Sequence, residues 1–201
     1  MNDFPVLALV CSAGGLDALT QVLEPLPAGL PAAVLVLQHV SPGHHSELPA
    51  ILARRTALPV AAATDGALLA PGQVLVCPPG HHTLITADTT IALIASGSLP
   101  PYRPSADLLL TTLAVAAGTR VIAVVLTGNG NDAATGATAV HRFGGTVIAC
   151  SPQSSAQPAM PQAAMDRGDI VDHVVALDQV AELVTALTSG HRITRAGAEQ
   201  P

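Results

Sequence analysis

Short apolar runs recur along this chain at Val6–Val10, Ala33–Leu37, Val74–Cys77, Val121–Leu126 and Thr146–Ala149. Each has the length of a strand, and the apolar character continues instead of alternating, as in strands buried on both faces. Between several of them the apolar positions shift to helical spacing. Leu16–Leu23 predicts a helix with Leu16, Leu19 and Leu23 on one face, ended by the Pro25-Leu26-Pro27 turn. Ser46–Arg55, Ser105–Ala117, Asp132–Arg142 and Gln179–Leu187 predict further helices, with Asn131 or Asp132 capping the one that starts at Asp132. This alternation predicts an α/β fold: a doubly wound, mainly parallel, Rossmann-like sheet with helices on both faces. The middle of the chain differs. Val74–Cys77, Thr83–Thr86 and Ile91–Ala95 follow one another without a helical segment, joined by Pro78-Pro79-Gly80 and Ala87-Asp88-Thr89, which predicts an antiparallel β-hairpin inserted near residues 74–95. No long internal repeat is present, so residues 1–190 read as one domain and the polar residues 191–201 as a disordered tail.

Composition narrows the picture. The 201 residues suffice for one domain with a substantial core, and 49% of them are apolar. With one Tyr, two Phe and no Trp, that core must be built from Val, Leu, Ile and Ala. Fourteen acidic residues face eight arginines, with no lysine, for a formal charge of −6. No basic stripe is available to displace counterions from phosphate, so no nucleic-acid partner is expected. Cys11, Cys77 and Cys150 are far apart and form no CxxC pair, which argues against a disulfide framework or a zinc site. His44-His45 and His81-His82 are adjacent pairs whose side chains point apart; they read as exposed loop histidines, and no metal is expected. The first apolar run has no basic stretch ahead of it and is too short to cross a bilayer, so no membrane insertion is expected and the expected location is the cytoplasm.

The candidate chemistry lies where the apolar runs end. Val10-Cys11-Ser12-Ala13-Gly14-Gly15 delivers a serine into a glycine turn between a strand and a helix, and so to the carboxyl edge of the sheet. A serine hydroxyl is a weak nucleophile unless a histidine removes its proton and a carboxylate orients that histidine. His39, in Gln38-His39, follows the second run, and Asp132, in Leu126-Thr127-Gly128-Asn129-Gly130-Asn131-Asp132, follows the run at Val121–Leu126. Three parallel strand ends are thus expected to bring Ser12, His39 and Asp132 to one rim.

With these residues in this order, the chain resembles the catalytic domain of the chemotaxis protein-glutamate methylesterases (CheB-type). Ser12-Ala13-Gly14-Gly15 is similar to the family's Ser-Thr-Gly-Gly turn, and Gln38-His39 to its Gln-His pair. Arg103-Pro104-Ser105-Ala106-Asp107 resembles its Arg-Pro-Ser-x-Asp, and Leu126 to Asp132 its Leu-Thr-Gly-Met-Gly-x-Asp. Gln153-Ser154-Ser155 and Met160-Pro161 fall where the family has a Ser-Ser and a Met-Pro. The resemblance implies a serine hydrolase removing methyl esters from glutamate side chains of chemoreceptor-type proteins, with glutamine deamidation as a related activity. It implies Ser12 as nucleophile, His39 as base and Asp132 as the orienting acid, with no cofactor. It places Ala13, Asn129 and Gly130 around the oxyanion, and Arg103, Ser155 and Met160 at the substrate. Ala13 replaces the family's threonine, Asn129 its methionine and Ala133 a glycine.

Members of the family usually carry an N-terminal receiver domain, whereas eleven residues precede Ser12 here. The expectation is a catalytic domain without a receiver, open at all times or regulated by a partner in trans. Two other readings compete. Ala13 and Asn129 suggest a non-catalytic interaction module that kept the fold. Gly128-Asn129-Gly130-Asn131-Asp132-Ala133 also fits the dinucleotide fingerprint G-x-G-x-x-A, but no acid stands between Asp132 and Asp166 to hold a ribose hydroxyl.

Overall fold

A computed structural model describes residues 3–41, 43, 46–97 and 102–190. The strands are β1 (Val6–Cys11), β2 (Ala33–Gln38), β3 (Val60–Ala62), β4 (Val74–Val76), β5 (His81–Ile85), β6 (Ile91–Ala95), β7 (Val121–Val125), β8 (Thr146–Cys150) and β9 (His173–Val175). Seven of them form a parallel sheet in the order β3-β4-β2-β1-β7-β8-β9, and β5 and β6 form a separate antiparallel pair. The helices are α1 (Gly15–Leu23), α2 (Leu48–Ala53), α3 (Ala106–Ala117), α4 (Ala134–Arg142), α5 (Ala159–Met165) and α6 (Val180–Thr188).

The unbroken apolar runs have a direct cause. Every residue of β1 is buried, and successive side chains leave on opposite faces. Val6, Ala8 and Val10 join Leu109, Leu110 and Leu113 of α3, Val140 of α4 and Met160 of α5 in one core. Leu7, Leu9 and Cys11 join Leu19 and Leu23 of α1, Leu52 of α2 and Val184 of α6 in the other. The sheet is doubly wound as expected. From β1 the chain first builds outward through β2 and later returns to β7 on the other side, so β1/β7 is the switch point at whose carboxyl end the loops diverge.

The predicted hairpin forms with narrower limits. Val74–Val76 pairs in parallel with both β2 and β3 and belongs to the main sheet, so the antiparallel pair comprises only β5 and β6. It lies against α3, where Thr112 Oγ1 accepts the Ile85 N–H at 3.1 Å. Two edge strands, β3 and β9, have three residues each and are partly exposed, too short to leave a period in the sequence. Residues 191–201, read as a disordered tail, lie outside the described residues, as do His44 and His45. Among the described residues no helix is long and apolar enough to cross a membrane.

Candidate active site

The site begins with the turn after β1. The Ser12 N–H donates to Thr127 O at 2.7 Å and Leu126 N–H to Val10 O at 3.0 Å, so the backbone ladder between β1 and β7 continues past the strands and staples the two loops together. The chain then turns through Gly14 at φ 76°, the left-handed region that favours glycine. A Cβ on Gly14 would lie 2.8 Å from Ala156 Cβ, and one on Gly15 2.5 Å from Cys11 Sγ, so both glycines are needed for close approach. α1 starts at once, and the N–H groups of Ala13 and Gly14 carry no hydrogen bond among the described residues. Successive free N–H groups at such a turn make an anion-binding concavity.

On the neighbouring strand end, the His39 N–H donates to Cys11 O at 3.0 Å, which sets the histidine beside the Ser12 turn. Its ring Nε2 lies 2.8 Å from Asp132 Oδ2, with the side chains 9% and 4% exposed. That contact assigns the proton to Nε2 and leaves Nδ1 as the ring acceptor. Tyr102 stacks on the imidazole with centroids 5.5 Å apart and planes 28° from parallel. Ser12 and His39 line one open cleft of about 450 Å³ together with Ala13, Leu16, Asp17 and Gln38. The Ser12 hydroxyl makes no hydrogen bond to the ring among the described residues.

Asn131 or Asp132 is expected from sequence position to cap α4, and neither side chain does. The residue preceding α4 is Ala133, at φ 91°, with no side-chain cap. Asp132 turns instead toward the start of α3. Oδ2 accepts the Ala106 N–H at 2.6 Å, and Oδ1 accepts the Asp107 N–H at 3.0 Å and the Ser105 hydroxyl at 3.1 Å. Burial raises the pKa of this carboxyl, but the hydrogen bond to His39 and those from the Asp107 and Ala106 amides outweigh it, and the net shift is downward. Asp107 returns the arrangement: its Oδ1 accepts the N–H groups of Ala133 at 3.0 Å and Gly136 at 2.7 Å, at the start of α4.

The remaining expected site residues are scattered. Ala13 and Asn129 are exposed, and Gly130, at φ 88°, lies against the Tyr102 ring, which a Cβ there would strike. Arg103 donates to Gly97 O at 3.0 Å and does not line the Ser12 cleft. Ser155 donates to Leu126 O and Ser151 O and lines a neighbouring cavity of about 340 Å³ that shares Gly14 and Asp17 with the cleft. Met160 is fully buried and sits behind the serine turn: a Cβ on Gly128 would lie 2.8 Å from its Sδ and 2.7 Å from Ser12 Cβ. It is packing, not surface, and α5 begins ahead of it at Ala159.

The sequence reading missed Tyr102, Ser105, Asp107 and His82. His81 and His82 lie on β5 and not in a loop; His81 is exposed, but His82 is buried, and its Nδ1 accepts the Ser105 N–H at 3.0 Å. Burial, the largest effect, lowers its pKa. A serine followed by an acid at a helix start signals capping; Ser105 Oγ does accept the Leu108 N–H of its own helix, while Asp107 caps a different one. All three cysteines are free and buried, and burial pushes the Cys77 thiol up to about 11.

A family model described as CheB methylesterase matches residues 7–184. The chain belongs to the CheB methylesterase family. It is 38% identical over 165 residues to protein-glutamate methylesterase FrzG of Myxococcus xanthus, covering 82% of this chain and 49% of that protein. It is 38% identical to a protein-glutamate methylesterase/protein-glutamine glutaminase of Moorella thermoacetica, covering 92% of this chain and 44% of that one. The crystal structure of the Thermotoga maritima CheB methylesterase catalytic domain superposes with a TM-score of 0.88 at 30% identity, covering 92% of this chain and 100% of that chain. The chain thus spans about half the length of these two relatives and the whole of that catalytic domain.

The dinucleotide reading fails on this geometry. Gly128 packs against Ser12 and Met160, and the α4 N–H groups that would face a pyrophosphate are taken by the Asp107 carboxylate. In this CheB methylesterase domain, Gly128 serves close packing against the Ser12 turn, and Gly130 the close approach of Tyr102.

Proposed function

We propose that this domain hydrolyses methyl esters of glutamate side chains on a receptor-type signalling protein, with Ser12 as nucleophile, His39 as general base and Asp132 as the orienting carboxylate. The observation that carries the reading is the partly buried His39–Asp132 hydrogen bond beside the Ser12 turn, at the switch point of the sheet. Relatives named as protein-glutamate methylesterases support the substrate class.

In this mechanism Ser12 Oγ attacks the ester carbonyl carbon while its proton passes to His39 Nδ1, the ring nitrogen that Asp132 leaves unoccupied. Their hydrogen bond forms as substrate enters the cleft, since such contacts tighten on binding. The oxyanion is received by the free N–H groups of Ala13 and Gly14, which explains how the turn tolerates alanine: a backbone donor does not depend on the side chain. Collapse expels methoxide, which takes the proton from the imidazolium and leaves as methanol. Water then attacks the acyl-enzyme by the reverse proton route, giving the glutamate carboxylate and free Ser12. The same steps on a glutamine amide release ammonia, an activity carried in the name of the Moorella thermoacetica relative.

The test is methanol release from a methylated receptor fragment, paired with labelling by a serine-directed fluorophosphonate. The wild-type protein is expected to release methanol and take the label, and Ser12→Ala to do neither. His39→Ala is expected to keep its fold and lose turnover. Full turnover in either variant would remove the basis of the mechanism, and a wild-type protein that neither turns over nor labels would favour the interaction-module reading.

A further inference from the structure

We infer that Asp107 is a positioning residue for Asp132: its carboxylate pins the start of α4 and thereby holds the loop that aims Asp132 at His39. This rests on the reading of Asp132 as the acid that orients the base. The two aspartates exchange places. Asp132 precedes α4, yet its oxygens take the N–H groups of Ala106 and Asp107 in the first turn of α3. Asp107 lies in that first turn of α3, yet its Oδ1 takes the N–H groups of Ala133 and Gly136. Each helix therefore receives at its positive end the carboxylate carried by the other. Neither side chain can swing away without leaving two backbone donors unsatisfied.

Two further observations locate the effect in the backbone. Ala133 is held at φ 91°, a conformation that costs a residue with a Cβ, and its N–H is one of the two that Asp107 binds. The kink directly after Asp132 is thus clamped by Asp107. At Gly136 the helices touch: a Cβ there would lie 2.6 Å from Leu110 Cβ and 3.1 Å from Asp107 Cα, which leaves α3 and α4 no slack to shift. Asp107 does not line the Ser12–His39 cleft, so it acts only through Asp132.

Asp107→Ala removes both acceptor contacts, whereas Asp107→Asn keeps an oxygen at the same place and drops the charge. Three measurements on the whole chain decide the matter: kcat and KM for ester hydrolysis across pH, thermal melting, and the low-field proton NMR signal of the His39–Asp132 hydrogen bond. Asp107→Ala is expected to lower kcat about 10²-fold, the effect of a misplacement near 1 Å, with KM unchanged and the low-field signal lost. Asp107→Asn is expected to recover most of kcat and the signal. If Asp107→Ala does not fold, Asp107→Glu replaces it; a one-methylene displacement of the oxygen is expected to lower kcat. The inference is overturned if Asp107→Ala, or Asp107→Glu in its place, keeps wild-type kcat and signal, or if Asp107→Asn is as impaired as Asp107→Ala. A wild-type protein that shows the signal and releases no methanol would count against the esterase reading alone, and the NMR comparison would still decide the role of Asp107.

Discussion

Asp132 is anionic well below neutral pH because three donors from the start of α3 and one from His39 converge on it. The direction of that shift bears on the acid behaviour expected of the proposed activity. On the proposed mechanism Asp132 stays ionised through the acid limb of kcat/KM, so its own protonation is expected to add nothing to the slope of that limb. A rate profile that steepens to two protons in that limb would contradict it. Stability follows the same sign: a carboxyl with a lowered folded pKa contributes stability that is complete above the ordinary aspartate range and lost as pH drops through the folded value. Melting temperature against pH, compared between wild type and Asp132→Asn, should show the difference disappearing at the acid end. On the proposed mechanism, Asp132→Asn is also expected to lower kcat by about 10⁴-fold, since it would misorient the base. The placement of Ser12, His39 and Asp132 at one rim was legible because each follows an apolar run directly or within one short glycine-rich loop. Tyr102, His82 and Asp107 were not, since each acts across to another element, on His39, Ser105 and α4. The expectation that Asn131 or Asp132 would cap α4 failed for the same reason: local spacing shows a cap in reach, but packing supplied a distant one, Asp107.

At the scale of elements, the junction of α3 and α4 is where function and packing meet. Gly136→Ala places a methyl group against Leu110 Cβ and the Asp107 backbone, and the helices must separate to admit it. A loss of about 1–3 kcal/mol in urea unfolding is expected, the usual range for overpacking, together with reduced kcat. Unchanged stability and rate would show more slack there than the 2.6 Å approach implies. The longer elements were readable because residues buried on both faces of a sheet, or on one face of a helix, repeat often enough to leave a pattern. β3, β9 and α5 have three, three and seven residues and leave none. Sequence adjacency groups β4 with the hairpin because it runs into β5 without a helix; its parallel partners lie on β2 and β3, which adjacency does not show.

The whole molecule is two apolar layers around one sheet, and β1 contributes to both. Leu9 is fully buried on one of its faces, and Leu9→Ala is expected to cost about 2–5 kcal/mol by urea unfolding while leaving residual activity per folded molecule unchanged. A loss of rate beyond the loss of folded protein would show that the core transmits strain to the rim. The hydrogen bond between His39 and Asp132 spans 93 positions of sequence. Contacts of that reach are late to form, because the loop between them must close first. On the proposed mechanism, esterase competence is therefore a timestamp of complete assembly: during refolding, reactivity of Ser12 toward a fluorophosphonate should rise only with the slowest phase, and a nascent chain released before Asp132 has emerged should be chemically silent.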